Sequence, residues 1–256
     1  MLAELHFPPL GHLVDWKPFA LKNSELFAIN KVVLVYFLAV ILTFLVFLLG
    51  GKKKLVPTGM QNVAESAVEF IEDGIIGPAV GHHAPKWLTP VLTSFFFFIF
   101  FTNIFEVIPY IQMPASARIA LPMLLALIVW VLYNFAGVKE HGLFGYLKNS
   151  LFPPGVPVAL YILVTPIEFV SNFLVRPFSL MVRLFANLLA GHILLATFAV
   201  LSAALWAKSI SIILVPLPAF MVVFFVAFEI LVAFLQAYVF TLLSAVYVGS
   251  AMSHEH

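Results

Sequence analysis

Apolar residues run through this chain in long blocks, and the few charged residues mark where each block ends. Positions 32–51 contain no Lys, Arg, Asp or Glu, nor do positions 87–105 or 119–138. Three further stretches, 184–207, 209–228 and 230–254, are equally bare. A helix needs about 20 apolar residues to cross about 30 Å of hydrocarbon. The first three blocks predict spans at 32–51, 88–109 and 119–138. The last three predict two long helices, 159–207 and 209–252, with Lys208 at their joint and Glu229 inside the second. Positions 149–167 are also charge-free, but Pro153, Pro154, Pro157 and Pro166 break them. The first half is expected to be a loop, with 159–165 leading into the long helix.

Two stretches depart from simple spans. Between 55 and 87, Met60, Val63, Ala67, Phe70 or Ile71, and Ile75 recur at helical spacing, with Glu65, Glu69, Glu72 and Asp73 between them. This predicts an amphipathic helix at 58–76, lying on the cytoplasmic membrane face or on a partner. A merely solvated acidic face is the plainer account. The run Phe95-Phe-Phe-Phe-Ile-Phe-Phe101 is expected to face lipid.

Composition extends the pattern. Hydrophobic residues are 63% of the 256 and charged residues 10%, against about 25% charged in soluble domains. A water-soluble fold of this size leaves too much surface exposed to hide so many apolar side chains. The expected class is therefore an all-α polytopic membrane protein with about five membrane helices and one interfacial helix, 31–256 forming a single membrane domain. A net charge of +1 gives no footprint for nucleic acid. The absence of cysteine excludes disulfides, thiolate nucleophiles and Cys-ligated metals. Residues 1–30 lack a basic start and carry Glu4, His6, Pro8, Pro9 and Asp15, so an extracytoplasmic arm is expected in place of a signal peptide. Lys52, Lys53 and Lys54 put the end of the first span in the cytoplasm, and the alternation then leaves the C-terminus inside.

Charges inside hydrocarbon cost from about 3 to above 10 kcal/mol, which makes Arg183, His192, Glu229 and Glu106 functional candidates. Arg183 is the sharpest, because a guanidinium cannot escape the cost by losing its proton. An antiparallel hairpin turning near 210 pairs positions that sum to about 420. Arg183 then falls opposite Gln236, and His192 opposite Glu229. One layer holds a fixed cation and an amide; the other, nearer the outside, holds an imidazole and a carboxylate. The outer layer suits a proton or ion path, although a buried pair that only fixes helix register remains open. Glu106, beside Asn103, could join that path or snorkel to the interface. Ser179, Ala186, Asn187 and Ala190 form a small-residue strip that would admit another helix, or serve packing within the hairpin. The Arg183 layer has no acid of its own, so its carboxylate is expected in trans.

The segment Ser179-Leu-Met-Val-Arg183-Leu-Phe-Ala-Asn187-Leu-Leu-Ala-Gly191-His192 resembles the signature of subunit a of bacterial F-type ATP synthases. Phe228-Glu229 through Gln236-Ala-Tyr238 resembles the family's final helix, and Asn103-Ile-Phe-Glu106-Val-Ile-Pro109 its earlier Asn/acid/Pro element. The resemblance covers about 30–250. It implies a proton-carrying stator subunit packed against a rotating c-ring and served by peripheral-stalk subunit b. It implies two offset half-channels separated by Arg183. The outer one would use Asn103, Glu106, Asn187, His192 and Glu229; Gln236 would lie beside the gate; Ser179, Arg176 and Glu168 would serve the cytoplasmic side. It also implies strongly tilted last helices, a bacterial plasma membrane, no cofactor, no nucleotide bound by this chain and no catalysis of its own. Here His stands on the first helix and Glu on the second, and Ala186 and Glu106 occupy positions where the family often has Gly.

Two other readings exist. An ion-coupled secondary transporter would also bury Arg, His and Glu, but predicts internal repeats, and the Arg183 segment has none. An intramembrane metalloenzyme needs three or more ligands, and His82-His83 lie too far away to complete a set with His192 and Glu229.

Overall fold

The computed structural model describes residues 31–51, 59–81, 84–108, 119–152, 156–206 and 216–253. Its elements are α1 (Lys31–Gly50), α2 (Met60–Ile71), a π turn (Glu72–Ile76), α3 (Gly77–Val80), α4 (Leu88–Val107), α5 (Ala120–Leu151), a 3-10 turn (Val158–Leu160), α6 (Tyr161–Val170), a second π turn (Ser171–Val175), α7 (Arg176–Trp206) and α8 (Pro216–Met252). Among the described residues, five segments are long and apolar enough to cross a membrane: α1, α4, α5, the continuous run Val158–Ser202, and α8. The chain is an all-α, multi-pass membrane protein. The expected N-terminal arm, Lys52–Lys54, His82-His83, Pro109, Arg118 and the hairpin turn near Lys208 lie outside the described residues.

The core forms where α8 meets its neighbours. Ala237, Phe240, Ala245 and Val248 on α8 are buried with Leu92, Phe96 and Ile99 of α4, Val129 and Tyr133 of α5, and Leu180 and Leu184 of α7. Small residues permit the approach. A Cβ at Gly249 would overlap the backbone carbonyl of Ala79, so α3 docks directly on the end of α8. Pro216 and Pro218 sit in the first turn of α8, where a missing N–H costs nothing.

The phenylalanine run packs against protein more than a lipid-facing run would. Phe96 is buried, and Phe95, Phe97, Phe98, Phe100 and Phe101 are half-buried. Phe95 meets Phe240 edge-on at 6.1 Å, Phe96 meets Phe234 at 5.7 Å, and Phe97 meets Phe47 of α1 at 5.4 Å. Helix α4 is central, so rings on every side find a protein neighbour, and edge-to-face pairs add to the area they bury.

The expected apolar stripe of the amphipathic helix is divided between a buried and an exposed part. Gln61, Ala64, Ile71 and Ile75 face the core, whereas Met60, Val63 and Phe70 are exposed. The buried face of α2 is selected by fit: a Cβ at Gly50 would overlap the side chain of Ala64, so α1 and α2 touch nearly backbone to backbone. Met60, Val63 and Phe70 remain exposed on the other side.

Helix α5 runs past the charge-free stretch to Leu151, but Gly142 breaks it with φ 72° and ψ 164°. The chain doubles back there. The Tyr146 hydroxyl donates to Asn134 Oδ1 at 3.0 Å, and its ring occupies the space that a side chain at Gly137 would fill.

Candidate functional site

Helices α7 and α8 pack antiparallel, and two contacts fix their register. Asn187 Nδ2 donates to Gln236 Oε1 at 2.7 Å. A Cβ on Gly191 would stand 2.8 Å from Glu229 Oε1, so the carboxylate rests on the one position in that turn without a side chain. The two pairings sum to 423 and 420, close to the register expected from the turn. The amide layer is nonetheless offset by one turn: the hydrogen-bond partner of Gln236 is Asn187, although Arg183 was the position opposite it in the simple count. A long amide reaches along the helix, and Asn187 supplies the donor it needs. Gln236 is 4% exposed and its Nε2 has no hydrogen-bond partner among the described residues.

A cavity of about 380 Å³ opens beside this register. Asn103 of α4, Asn187, Ala190 and Gly191 of α7, and Phe228, Glu229 and Val232 of α8 line it. Asn103 is 1% exposed and Glu229 8%. Three helices thus bring two amides and one carboxylate to an otherwise apolar space. Holding a charge there is costly unless water reaches it. His192 is half-buried on α7, next to Gly191, and does not line the cavity. Glu106 belongs to the last turns of α4, but its side chain lies outside the described residues.

A second polar pocket, about 230 Å³, lies at the other end of α7. Glu168, Asn172 and Arg176 form one wall; His141, Asn149, Ser150, Ser250 and Ser253 complete it. Asn172 Nδ2 donates to Glu168 Oε2 at 3.1 Å and to the Ser150 carbonyl at 3.0 Å. The Arg176 guanidinium carbon stands 5.2 Å from the centre of the Tyr247 ring, a cation–π contact. Ser179 is half-buried and does not line this pocket.

Arg183 is half-buried and lines neither space. It sits seven residues beyond Arg176 and four before Asn187, about 10 Å and 6 Å along the axis. Around it the outer face of α7 is open: Phe178, Val182, Ala186, Asn187 and Ala190 are exposed. Another cavity among the described residues, about 800 Å³ between α1, α4 and α5, is apolar and has no titratable residue in its lining. None of Glu168, Arg176, Arg183, His192 and Glu229 lines it, so volume alone does not locate the chemistry.

Sequence reasoning missed Asn172, His141, Asn149 and Ser250. The signal for Asn172 was present: it stands four residues from both Glu168 and Arg176 in an apolar stretch. The others come from the turned-back end of α5 and the tip of α8, whose convergence no local pattern reveals.

Comparison with known proteins gives a consistent result. The family profile for the ATP synthase A chain matches residues 32–249. The protein named ATP synthase subunit a from Rhodococcus erythropolis is 38% identical, over 99% of this chain and 93% of its own length. Its namesake from Nocardioides sp. is 39% identical, over 91% and 86%. That from Frankia alni is 38% identical, over 89% and 79%.

Proposed function

Because this chain belongs to the ATP synthase subunit a family, we propose that it is the proton-carrying stator subunit of the enzyme's membrane sector, in a bacterial plasma membrane. Membership of that family displaces the transporter alternative. The N-terminus lies outside and the C-terminus in the cytoplasm. The c-ring packs on the open face of α6 and α7, the last helices lie tilted around it, and subunit b binds elsewhere on the stator. ATP chemistry belongs to other subunits.

The observation that carries the reading is the position of Arg183 on α7, between the residues that line the Glu229 cavity and those that line the Arg176 pocket. The outer half-channel is the cavity of Asn103, Asn187 and Glu229, with Glu106 and His192 at its approach. A proton entering from outside is held at the Glu229 carboxylate and passed to a ring carboxylate. Gln236 lies beside the gate, and its Nε2 is a donor suited to hold solvent there. The inner half-channel runs by Ser179, Arg176 and Glu168.

Arg183 keeps the two apart. Its cation favours the ionised form of a ring carboxylate that passes it, because an opposite charge within a few ångströms stabilises the anion. The proton therefore leaves on one side and is restored on the other only after the ring has moved. At 4 Å and an effective dielectric of about 20 the pair would attract by about 4 kcal/mol, which would slow a rotor. A water-separated pair is weaker and still keeps the acid ionised.

ATP-driven acidification of inverted vesicles tests this. Arg183→Ala is expected to abolish pumping while the complex still assembles. Near-normal pumping would overturn the gate.

A further inference from the structure

The run from α6 to α7 contains one turn of π-helix at Ser171–Val175, between Glu168 and Arg176. Its position has a geometric consequence. Eight residues of regular α-helix turn through about 800°, which would leave Arg176 about 80° round the helix from Glu168. A π turn absorbs one extra residue. Eight residues then act as about seven, and the misalignment falls to about 20°. The turn brings Glu168, Asn172 and Arg176 into one line, and all three face the 230 Å³ pocket.

A π turn also disturbs the helical hydrogen-bond ladder, and here α5 takes up the carbonyls. The Tyr133 hydroxyl donates to Asn172 O at 2.6 Å, and Trp130 Nε1 donates to Phe173 O at 3.1 Å. Tyr133 is fully buried, and its ring meets Tyr247 edge-on at 6.0 Å. Tyr247 in turn carries the Arg176 cation. Three helices thus converge on one turn, and two of its successive carbonyls are held by side chains 39 and 43 residues away in sequence.

We propose that this π turn sets the helix phase of the cytoplasmic proton route. In this arrangement Asn172 holds the Glu168 carboxylate toward the pocket, and Trp130 and Tyr133 are positioning residues that latch the turn. The inference rests on the half-channel reading above and assigns the mouth of the inner path to the pocket of His141, Asn149, Glu168, Asn172, Arg176 and Ser250. No covalent step is involved: protons move between Glu168, water and the cytoplasm.

The test uses the whole complex in inverted vesicles, with the other subunits freed of reactive cysteines; this chain has none. Proton flux is read per assembled complex, by ATP-driven acidification and by passive conduction once the soluble sector is removed. Tyr133→Phe keeps the ring and loses one donor; flux is expected to fall about three- to tenfold. Asn172→Leu is expected to lower it further, and Asn172→Gln, which keeps an amide, to restore part of it. In a Ser250→Cys complex, flux is measured before and after silver ion reaches the cytoplasmic face, and a drop on addition is expected. Parental flux in both Tyr133→Phe and Asn172→Leu, flux losses that only track the amount of complex, or silver binding without a drop would each overturn the proposal. Arg183→Ala measured alongside separates the two levels. If it abolishes pumping while these variants do not, the phase device alone falls. If it pumps normally, the half-channel reading falls as well.

Discussion

The cavity at Glu229 is walled largely by Phe225, Phe228, Val232 and Leu194, with a single carboxylate in it; the pocket at Arg176 is lined by amides, hydroxyls, an imidazole and a charged pair of residues, Glu168 and Arg176. The first is set in the body of the helix pair, against a glycine. The second is gathered from helix ends and a turned-back segment. An acid among apolar walls suits uptake and hand-over of one proton, because its charge is costly to keep. A pocket held by hydrogen bonds and a cation–π contact suits a fixed, wet exit. Direction of flow is thus not written in either space alone, and in the proposed mechanism the residue between them carries the separation.

Variants of the separating residue should have the largest effect. Arg183→Lys keeps a positive charge but loses the planar fork and the inability to deprotonate. Coupled pumping is expected to fail almost as completely as in Arg183→Ala, and vesicle acidification reads it. If lysine serves nearly as well, any cation suffices and the two spaces need no special divider.

Glu229→Gln comes next. It preserves shape and removes the titrating group of the outer cavity, so flux should fall about tenfold or more, equivalent to a barrier about 1.4 kcal/mol higher, while complex yield changes little. Failure of the chain to accumulate would instead mark Glu229 as a structural partner.

Smaller effects test how the register supports the cavity. Gly191→Ala places a methyl against the carboxylate, and overpacking of this kind costs about 1–3 kcal/mol; a several-fold loss of flux is expected, with a lowered thermal midpoint of the detergent-solubilised complex. Gln236→Leu strands Asn187 Nδ2, at a cost of about 1–3 kcal/mol if no water replaces the bond. Its effect should appear on the outer side only, leaving thiol access to the cytoplasmic pocket unchanged. Least of all should follow from Phe144→Ala: the side chain is 86% exposed and touches neither space, so stability should stay within about 0.5 kcal/mol of the parent.

Much of this arrangement was legible from residue spacing. Bare stretches between charges reveal spans because hydrocarbon penalises charge, and a constant positional sum reveals an antiparallel pair because both helices rise equally per residue. Arg183, Glu229 and Gln236 stood out for that reason. Other features depend on contacts that hydropathy cannot encode. The phenylalanines of α4 looked lipid-facing because protein and lipid are equally apolar; only the central place of α4 decides between them. The stripe on α2 divides between two surroundings that spacing alone does not separate: Ile71 and Ile75 are buried, whereas Met60 and Val63 are exposed and Ala64 packs against Gly50. The π turn gives no hydropathy signal at all, since one extra residue in an apolar helix leaves the pattern unbroken. Asn187 replaced Arg183 as the partner of Gln236 because side chains lean along a helix, which a count of positions ignores.

The central claim is that Arg183 divides two aqueous spaces and meets a carboxylate of the ring. A map of the intact membrane sector, at a resolution that shows ordered water, tests it most directly. It should show the ring against the exposed face at Val182, Ala186 and Ala190, a ring carboxylate near Arg183 at water-bridged range, and ordered water at Glu229 and at Arg176 with a dry gap between. A continuous file of water past Arg183, or a ring seated on another helix, would contradict it.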